Sequence, residues 1–281
     1  MQPNRAGTAL PTAVEAAISI VSFEKEDDMA ATRAIPAEEP VNIVYAGIPF
    51  AVMMASPSDL EDFAVGFSLT EGIVETVSDI RSIRVEREPR GVKLLVDLSA
   101  ERLHIHLARK RALAGRTGCG VCGIDDLDSL PVARRTFGND GPVIPIASIR
   151  SALDTLELRQ PLNAATHAVH AAAWADLNGN LVVVREDVGR HNALDKLIGA
   201  LCRDTIAPDN GFCIVTSRCS FELVEKVAAF GGRAIVAISA PTSLAVDRAR
   251  LHDMTLVAVA RRDTMTVFHG RERIGILDAL P

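Results

Sequence analysis

The chain has 281 residues, 48% of them hydrophobic and 23% charged, enough apolar material for one large domain or two smaller ones. Its formal net charge of -6 excludes the broad basic face that general nucleic-acid binding needs, although it leaves room for a local anion site. No apolar run reaches the ~18 residues of a membrane span, and no basic-then-apolar N-terminus reads as a secretion signal. Five cysteines, Cys119, Cys122, Cys202, Cys213 and Cys219, fit free thiols in a reducing cytoplasm.

Residues 1–40 mix Pro, Ala and charge and read mostly as a mobile tail, with one short ordered element possible over 14–23. From Val41 the sequence "VNIVYAGIPFAVMMAS" predicts two strands about a turn at Ala46-Gly47. A helix follows in "SPSDLEDFAVGFSLTEGIV", capped by Ser56 or Ser58, with Glu61 at the capping-box spacing from Ser58. "IRSIRV" and "GVKLLVDL" alternate as strands, and "RLHIHLA" alternates again. Residues 41–110 therefore read as a small α+β domain. Residues 111–141, rich in Gly, Arg and Asp, read as a long flexible loop.

Residues 142–281 read as an α/β domain. "IASIRSALDTLEL" opens a helix, and "HAAAWADLNGNLVVVRE" is a hairpin on Asn178-Gly179. "RHNALDKLIGALCRD" has helical spacing at Leu194, Leu197, Ile198 and Leu201. Three apolar strands, "GFCIVTS", "RAIVAIS" and "MTLVAVAR", alternate with two helices, which predicts parallel strands with helices packed on them.

Chemistry concentrates in two kinds of place. "RTGCGVCGIDDLD" sets Cys119 and Cys122 three apart between glycines that cost ~1 kcal/mol each inside a helix, so the pair belongs on a loop. Zinc needs four ligands, and only one Cys pair exists. His104 and His106, or His167 and His170, would have to complete it outside any standard finger spacing. The other reading is a reactive thiol that carries sulfur as a persulfide, with the neighbouring thiol available for release by forming a disulfide. Arg116 favours a thiolate there, whereas Asp125, Asp126 and Asp128 oppose one unless they open a helix.

The second kind of place is the strand-to-helix turn. "REDVGRHNALDK" (185–196) is read either as capping by Asp187 or Asn192 with Lys196 facing solvent, or as a ligand site. In the ligand reading Gly189 allows close approach and Arg190 and His191 donate to an anion. "TSRCSFELV" repeats the pattern with Thr216, Ser217 and Ser220, again as oxygen ligands or plain N-caps. "SAPTSLAV" is a third turn, and "VARRDT" (Val259, Ala260, Arg261, Arg262, Asp263, Thr264) ends the last long strand with two arginines. Several polar turns at one sheet edge predict a pocket.

These segments resemble the FdhD family of formate dehydrogenase accessory sulfur carriers. "DLEDFAVGFSLTEGIV", "GCGVCG", "THAVHAAA", "EDVGRHNALDKLIG", "TSRCSFELVEK", "SAPTSLAV" and "TLVAVARR" carry the likeness over about residues 41 to 275. The resemblance implies a cytidine deaminase-like mixed sheet with flanking helices in the C-terminal domain, and a cytoplasmic homodimer. It implies sulfur taken from a cysteine desulfurase and delivered to a molybdenum (or tungsten) bis(molybdopterin guanine dinucleotide), bound as a client and destined for the formate dehydrogenase catalytic subunit. No permanent cofactor or metal is implied. Cys119 becomes the persulfide carrier, Cys122 its neighbour, and "VARRDT" the cofactor-binding segment, joined by Arg190, His191 and Ser217. Family members often carry Ser-Ser before the first cysteine, where this chain has Thr117-Gly118, and His170 aligns with the family histidine. Deamination is excluded, because His-x-Glu and Pro-Cys-x-x-Cys are both missing. The alternative function is a non-catalytic cofactor-binding chaperone whose cysteines hold zinc or a partner.

Overall fold

The computed structural model describes residues 11–21, 23, 28–105, 132–133, 135–138, 141–261 and 263–275. The Cys119–Cys122 segment, Arg262 and most of the 111–141 loop lie outside these residues.

Part of the expected tail is ordered. β1 (Ala13–Val21) and β2 (Asp28–Pro36) pair antiparallel from Ala13↔Pro36 to Val21↔Asp28. Val14, Ile20, Val21, Met29 and Ile35 stay exposed along them, so the hairpin rests on its own ladder more than on burial.

The next unit is a four-stranded sheet in the order β4-β3-β6-β5, comprising β3 (Glu39–Tyr45), β4 (Ile48–Ala55), β5 (Ile80–Glu88) and β6 (Gly91–Leu98). Ala46 and Gly47 both take positive φ, 48° and 79°, the type I′ geometry that suits a two-residue hairpin loop. α1 (Leu60–Thr70) lays Leu60, Phe63, Ala64 and Phe67 on Val41, Ile43, Tyr45, Leu94 and Val96. Its start departs from expectation: Asp59 occupies the cap position with φ 51° and no side-chain cap bond. Neither serine closes a capping box, and Ser56 is used elsewhere, as shown below. Residues 100–105 are helical, not a strand. Ser99 explains this: its carbonyl accepts from Leu103 N and its hydroxyl from Arg102 N, while the Arg102 guanidinium pairs with Glu75 and Asp79.

Past the short β7 (Ile144–Pro145), the C-terminal described residues form a six-stranded mixed sheet in the order β13-β12-β11-β10-β8-β9, bounded as follows. β8 (His170–Asp176) and β9 (Leu181–Asp187) make the hairpin at Asn178-Gly179, tied by the Asp176 carboxylate to the amides of Asn178 and Asn180. β10 (Gly211–Val215), β11 (Ala234–Ala237) and β12 (Thr255–Ala258) are parallel, as their uninterrupted apolar runs require. β13 (Thr266–His269) and β8 flank them antiparallel. α2 (Ile146–Leu156) covers one face through Ile149, Ala152 and Leu156. α4 (Arg190–Arg203), α5 (Phe221–Phe230) and α6 (Ser243–His252) cover the other. Between α2 and β8 lies the short α3 (Pro161–Thr166), on which the β1–β2 hairpin rests.

α1 and α4 join the two units and are buried on nearly all sides. They cross at Gly66 and Gly199. A Cβ on Gly66 would overlap the Asp195 carbonyl, and one on Gly199 the Asp62 carbonyl. The flanking charges complete the seam: Asp62 accepts from Arg185 and Arg203, and buried Lys226 reaches Asp195, Glu71 and Thr70.

Candidate functional site: the polar turns at the strand ends

The turn between β9 and α4 is first a structural clamp. Asp187 and Lys196 are both fully buried, with Nζ 2.6 Å from Oδ2. Asp187 also accepts from Gly189 N (2.8 Å), Asn192 Nδ2 (3.0 Å) and Ser56 N (2.9 Å). Lys196 donates to Ser56 O, Asn192 Nδ2 to Met54 O, and Val188 N to Ser56 Oγ. Asp187 thus neutralises Lys196, ties down the Gly189 turn and fastens the end of β4; neither it nor Asn192 forms the expected side-chain cap on α4, whose N-cap is Gly189. Lys196 does not face solvent as expected; the partner that draws it inside, Ser56, is 140 positions away. Glu186 likewise accepts from Leu162 N and Asn163 N at the start of α3, and burial raises its pKa.

Arg190 and His191 are left to face outward from the same turn. His191 Nε2 lies 3.3 Å from Glu222 Oε2. The imidazole beside it, with help from the Ser220 hydroxyl and the Arg190 guanidinium, holds the Glu222 carboxyl down to about 2. His170, at the start of β8, is pushed below its ordinary value by burial and then by the charges of Arg190 and His191. Three buried polar atoms here, Arg190 Nε, His191 Nε2 and Ser220 Oγ, have no well-aligned hydrogen-bond partner. Left unmet, such an atom costs ~1–3 kcal/mol, and Glu222 offsets this for His191 Nε2 and Ser220 Oγ. Glu222 was visible in the sequence only as one residue of a helix, whereas His170 stood out there as a candidate zinc ligand with His167 and as the match to the family histidine.

Ser217 sits two residues past β10, 5% exposed, with its hydroxyl on Arg218 O. Thr216 is spent on the ladder, bonding Ala171 N and O. Ser220 stands at the N-cap of α5, but no side-chain cap bond forms. Thr242 does cap α6, through Ala245 N. Backbone bonds lace the turns into one edge: Cys219 N to Ala240 O, Thr242 N to Cys219 O, Val259 N to Ser239 O, and Ala260 N to Ala237 O.

Val259 is held at φ 51°, an uncommon state for a β-branched residue and a form of strain that clusters at binding sites. Ala260 is buried behind it. Arg261 N bonds Thr264 O, closing a tight loop that exposes Asp263 and Thr264. The Arg261 guanidinium is anchored on the Ile238 and Ala260 carbonyls, so it braces this loop.

Burial raises the pKa of the three described cysteines: Cys202 to about 11, Cys219 to about 12, and Cys213 further still. They behave as small apolar side chains. His104 and His167 are exposed, and no group of three metal-ligating side chains exists among the described residues. No helix among those residues is long and apolar enough to cross a membrane.

The chain is similar to known proteins. The model of the FdhD/NarQ family matches residues 36–275. A protein named sulfur carrier protein FdhD from Xanthomonas euvesicatoria is 47% identical over 246 residues, which cover 86% of each chain. One of the same name from Bordetella bronchiseptica is 44% identical over 243 residues, covering 84% of this chain and 86% of its own. The crystal structure of a candidate formate dehydrogenase accessory protein from Desulfotalea psychrophila superposes with a TM-score of 0.73 at 26% identity. It covers 94% of this chain and 100% of that one. With the family match running from the end of β2 to β14 (Ile274–Gly275), through every turn described above, the chain belongs to the FdhD/NarQ family.

Proposed function

We propose that the protein is a cytoplasmic sulfur carrier for formate dehydrogenase, with Cys119 as the acceptor. Besides family membership, one observation carries this reading. Cys202, Cys213 and Cys219 are removed from thiolate chemistry by burial, which leaves Cys119 and Cys122 as the chain's nucleophilic sulfurs. The Cys119 thiolate attacks the outer sulfur of a cysteine desulfurase persulfide. The old S–S bond breaks, a new one forms on Cys119, and the desulfurase thiolate leaves. Attack by the Cys122 thiolate on the Cys119 sulfur then expels the carried atom as sulfide and leaves a Cys119–Cys122 disulfide, which a cellular thiol must reduce before the next cycle.

The sheet edge is the proposed seat of the cargo, a molybdenum or tungsten bis(molybdopterin guanine dinucleotide). Arg190, His191 and Ser217 meet its anionic groups, and the 259–264 turn contributes its shape and exposed polar groups. Two copies of the chain act as a homodimer, and the formate dehydrogenase catalytic subunit receives the sulfurated product.

Intact mass measured before and after cyanide tests the carrier function. After exposure to a desulfurase and cysteine, the chain should gain about 32 Da per sulfur atom, and cyanide, which strips sulfane sulfur, should remove it. A chain that gains no labile sulfur and instead retains zinc is the non-catalytic chaperone.

A further inference from the structure

We infer that Glu225 and His252 form a clasp sharing one proton, and that they are positioning residues for the cysteine-bearing segment. This inference rests on the sulfur-carrier reading. His252, at the end of α6, is 1% exposed, and Glu225, on α5, is 5% exposed. His252 Nδ1 lies 2.6 Å from the Arg135 carbonyl oxygen, and Nε2 lies 3.0 Å from Glu225 Oε2. A carbonyl only accepts, so Nδ1 carries a hydrogen. The other nitrogen faces a carboxylate oxygen, so a proton also lies between Nε2 and Oε2.

That same Oε2 accepts from Ala133 N at 2.5 Å, and Arg248 Nε stands 3.5 Å from Oε1. Both contacts come from donors, so Glu225 gathers Ala133 N, Arg248 and His252 around one carboxylate. Phe137 N bonds His252 O, and the Phe137 ring is buried in the core beneath the Arg233 guanidinium. Ala133 and Arg135 are therefore held by the side chains of the Glu–His pair, and Phe137 by the backbone carbonyl of the same His252 and by the core.

A buried ion pair is a poor way to gain stability over an apolar cluster of equal volume, but it fixes register, because breaking it strands a charge. Here the register fixed is that of the limb by which the chain returns from Cys119 and Cys122.

The test uses the full chain, wild type against Glu225→Gln, whose neutral amide removes the carboxylate charge that His252 and Arg248 face. Ala133→Pro removes one donor at the edge of the core and serves if the first variant does not fold. Imidazole nitrogen spectra should show both His252 nitrogens protonated in the wild type and Nε2 deprotonated in Glu225→Gln. Hydrogen exchange at Phe137 should quicken at least tenfold in either variant, with β10–β12 unchanged. The KM for the desulfurase should rise at least fivefold, while Cys119 reacts with a small persulfide donor at the wild-type rate. An unchanged KM alongside faster exchange would overturn the positioning role. A wild type that takes up no sulfur would overturn the carrier reading, and the positioning role with it, leaving the clasp visible in the spectra alone.

Discussion

Gly199→Ala is expected to be the most destabilising small substitution in the chain, lowering stability by about 3 kcal/mol or more. The added methyl meets the Asp62 carbonyl and lies against the Gly66 amide, backbone of the facing helix that cannot rotate away. Relief requires α1 and α4 to separate, and both helices are buried on nearly all sides between the two sheets. Gly66→Ala should do the same from the other side, against Asp195 O. Thermal unfolding of Gly47→Ala is the control. Nothing lies within 4 Å of a Cβ there and only the positive φ resists, so a loss of about 1 kcal/mol is expected. A Gly199→Ala melting point within 2 °C or so of the wild type would mean that the helix seam yields where the close approach says it cannot.

The second large effect separates holding the fold from holding the cargo within one motif. Lys196→Met leaves Asp187 ionised with its cation gone, in a place closed to solvent, which should cost about 3–5 kcal/mol. Arg190→Ala, six residues earlier, should leave the melting point nearly unchanged. It should weaken binding of GDP, a fragment of the proposed cargo, about tenfold, since a charge-assisted bond contributes ~1.5–3 kcal/mol. Chemical denaturation and calorimetry read the two quantities separately. If Lys196→Met keeps wild-type stability but loses GDP, the buried pair has been misread as structural. If Arg190→Ala keeps GDP, the cargo sits elsewhere.

The contrast within this motif shows what the sequence could and could not reveal. Local pattern was enough for the Ala46-Gly47 and Asn178-Gly179 turns, for α4 from its leucine spacing, and for β10–β12 from their unbroken apolar runs, because short-range sterics and periodicity decide those features. It was not enough wherever a distant partner decides. Lys196 reads as a solvent-facing helix residue until Ser56 and Asp187 enclose it, and Ser56 reads as a helix cap until Asp187 claims its amide. The β1–β2 hairpin was hidden because an Ala-rich run with charges alternates weakly and pairs only with its own return strand. At 100–105 the apolar alternation was real, but Ser99 and the Arg102 ion pairs outweighed it. Among the proposed site residues, Arg190, His191 and Ser217 and the 259–264 turn were singled out by residue type. Glu222 and the Glu225–His252 pair were not, since only the fold brings their partners to them.

The central claim, that sulfur travels on Cys119, is tested most directly by loading Cys119→Ser with sulfur from a desulfurase and cysteine, beside Cys122→Ser. The serine hydroxyl keeps the side chain's size but is not ionised at neutral pH and cannot accept sulfur. The account predicts that Cys119→Ser folds normally, binds GDP as the wild type does, gains no mass from the desulfurase, and yields formate dehydrogenase that contains its cofactor but lacks activity. Cys122→Ser should still load sulfur and release it more slowly. Wild-type loading of Cys119→Ser would contradict the account.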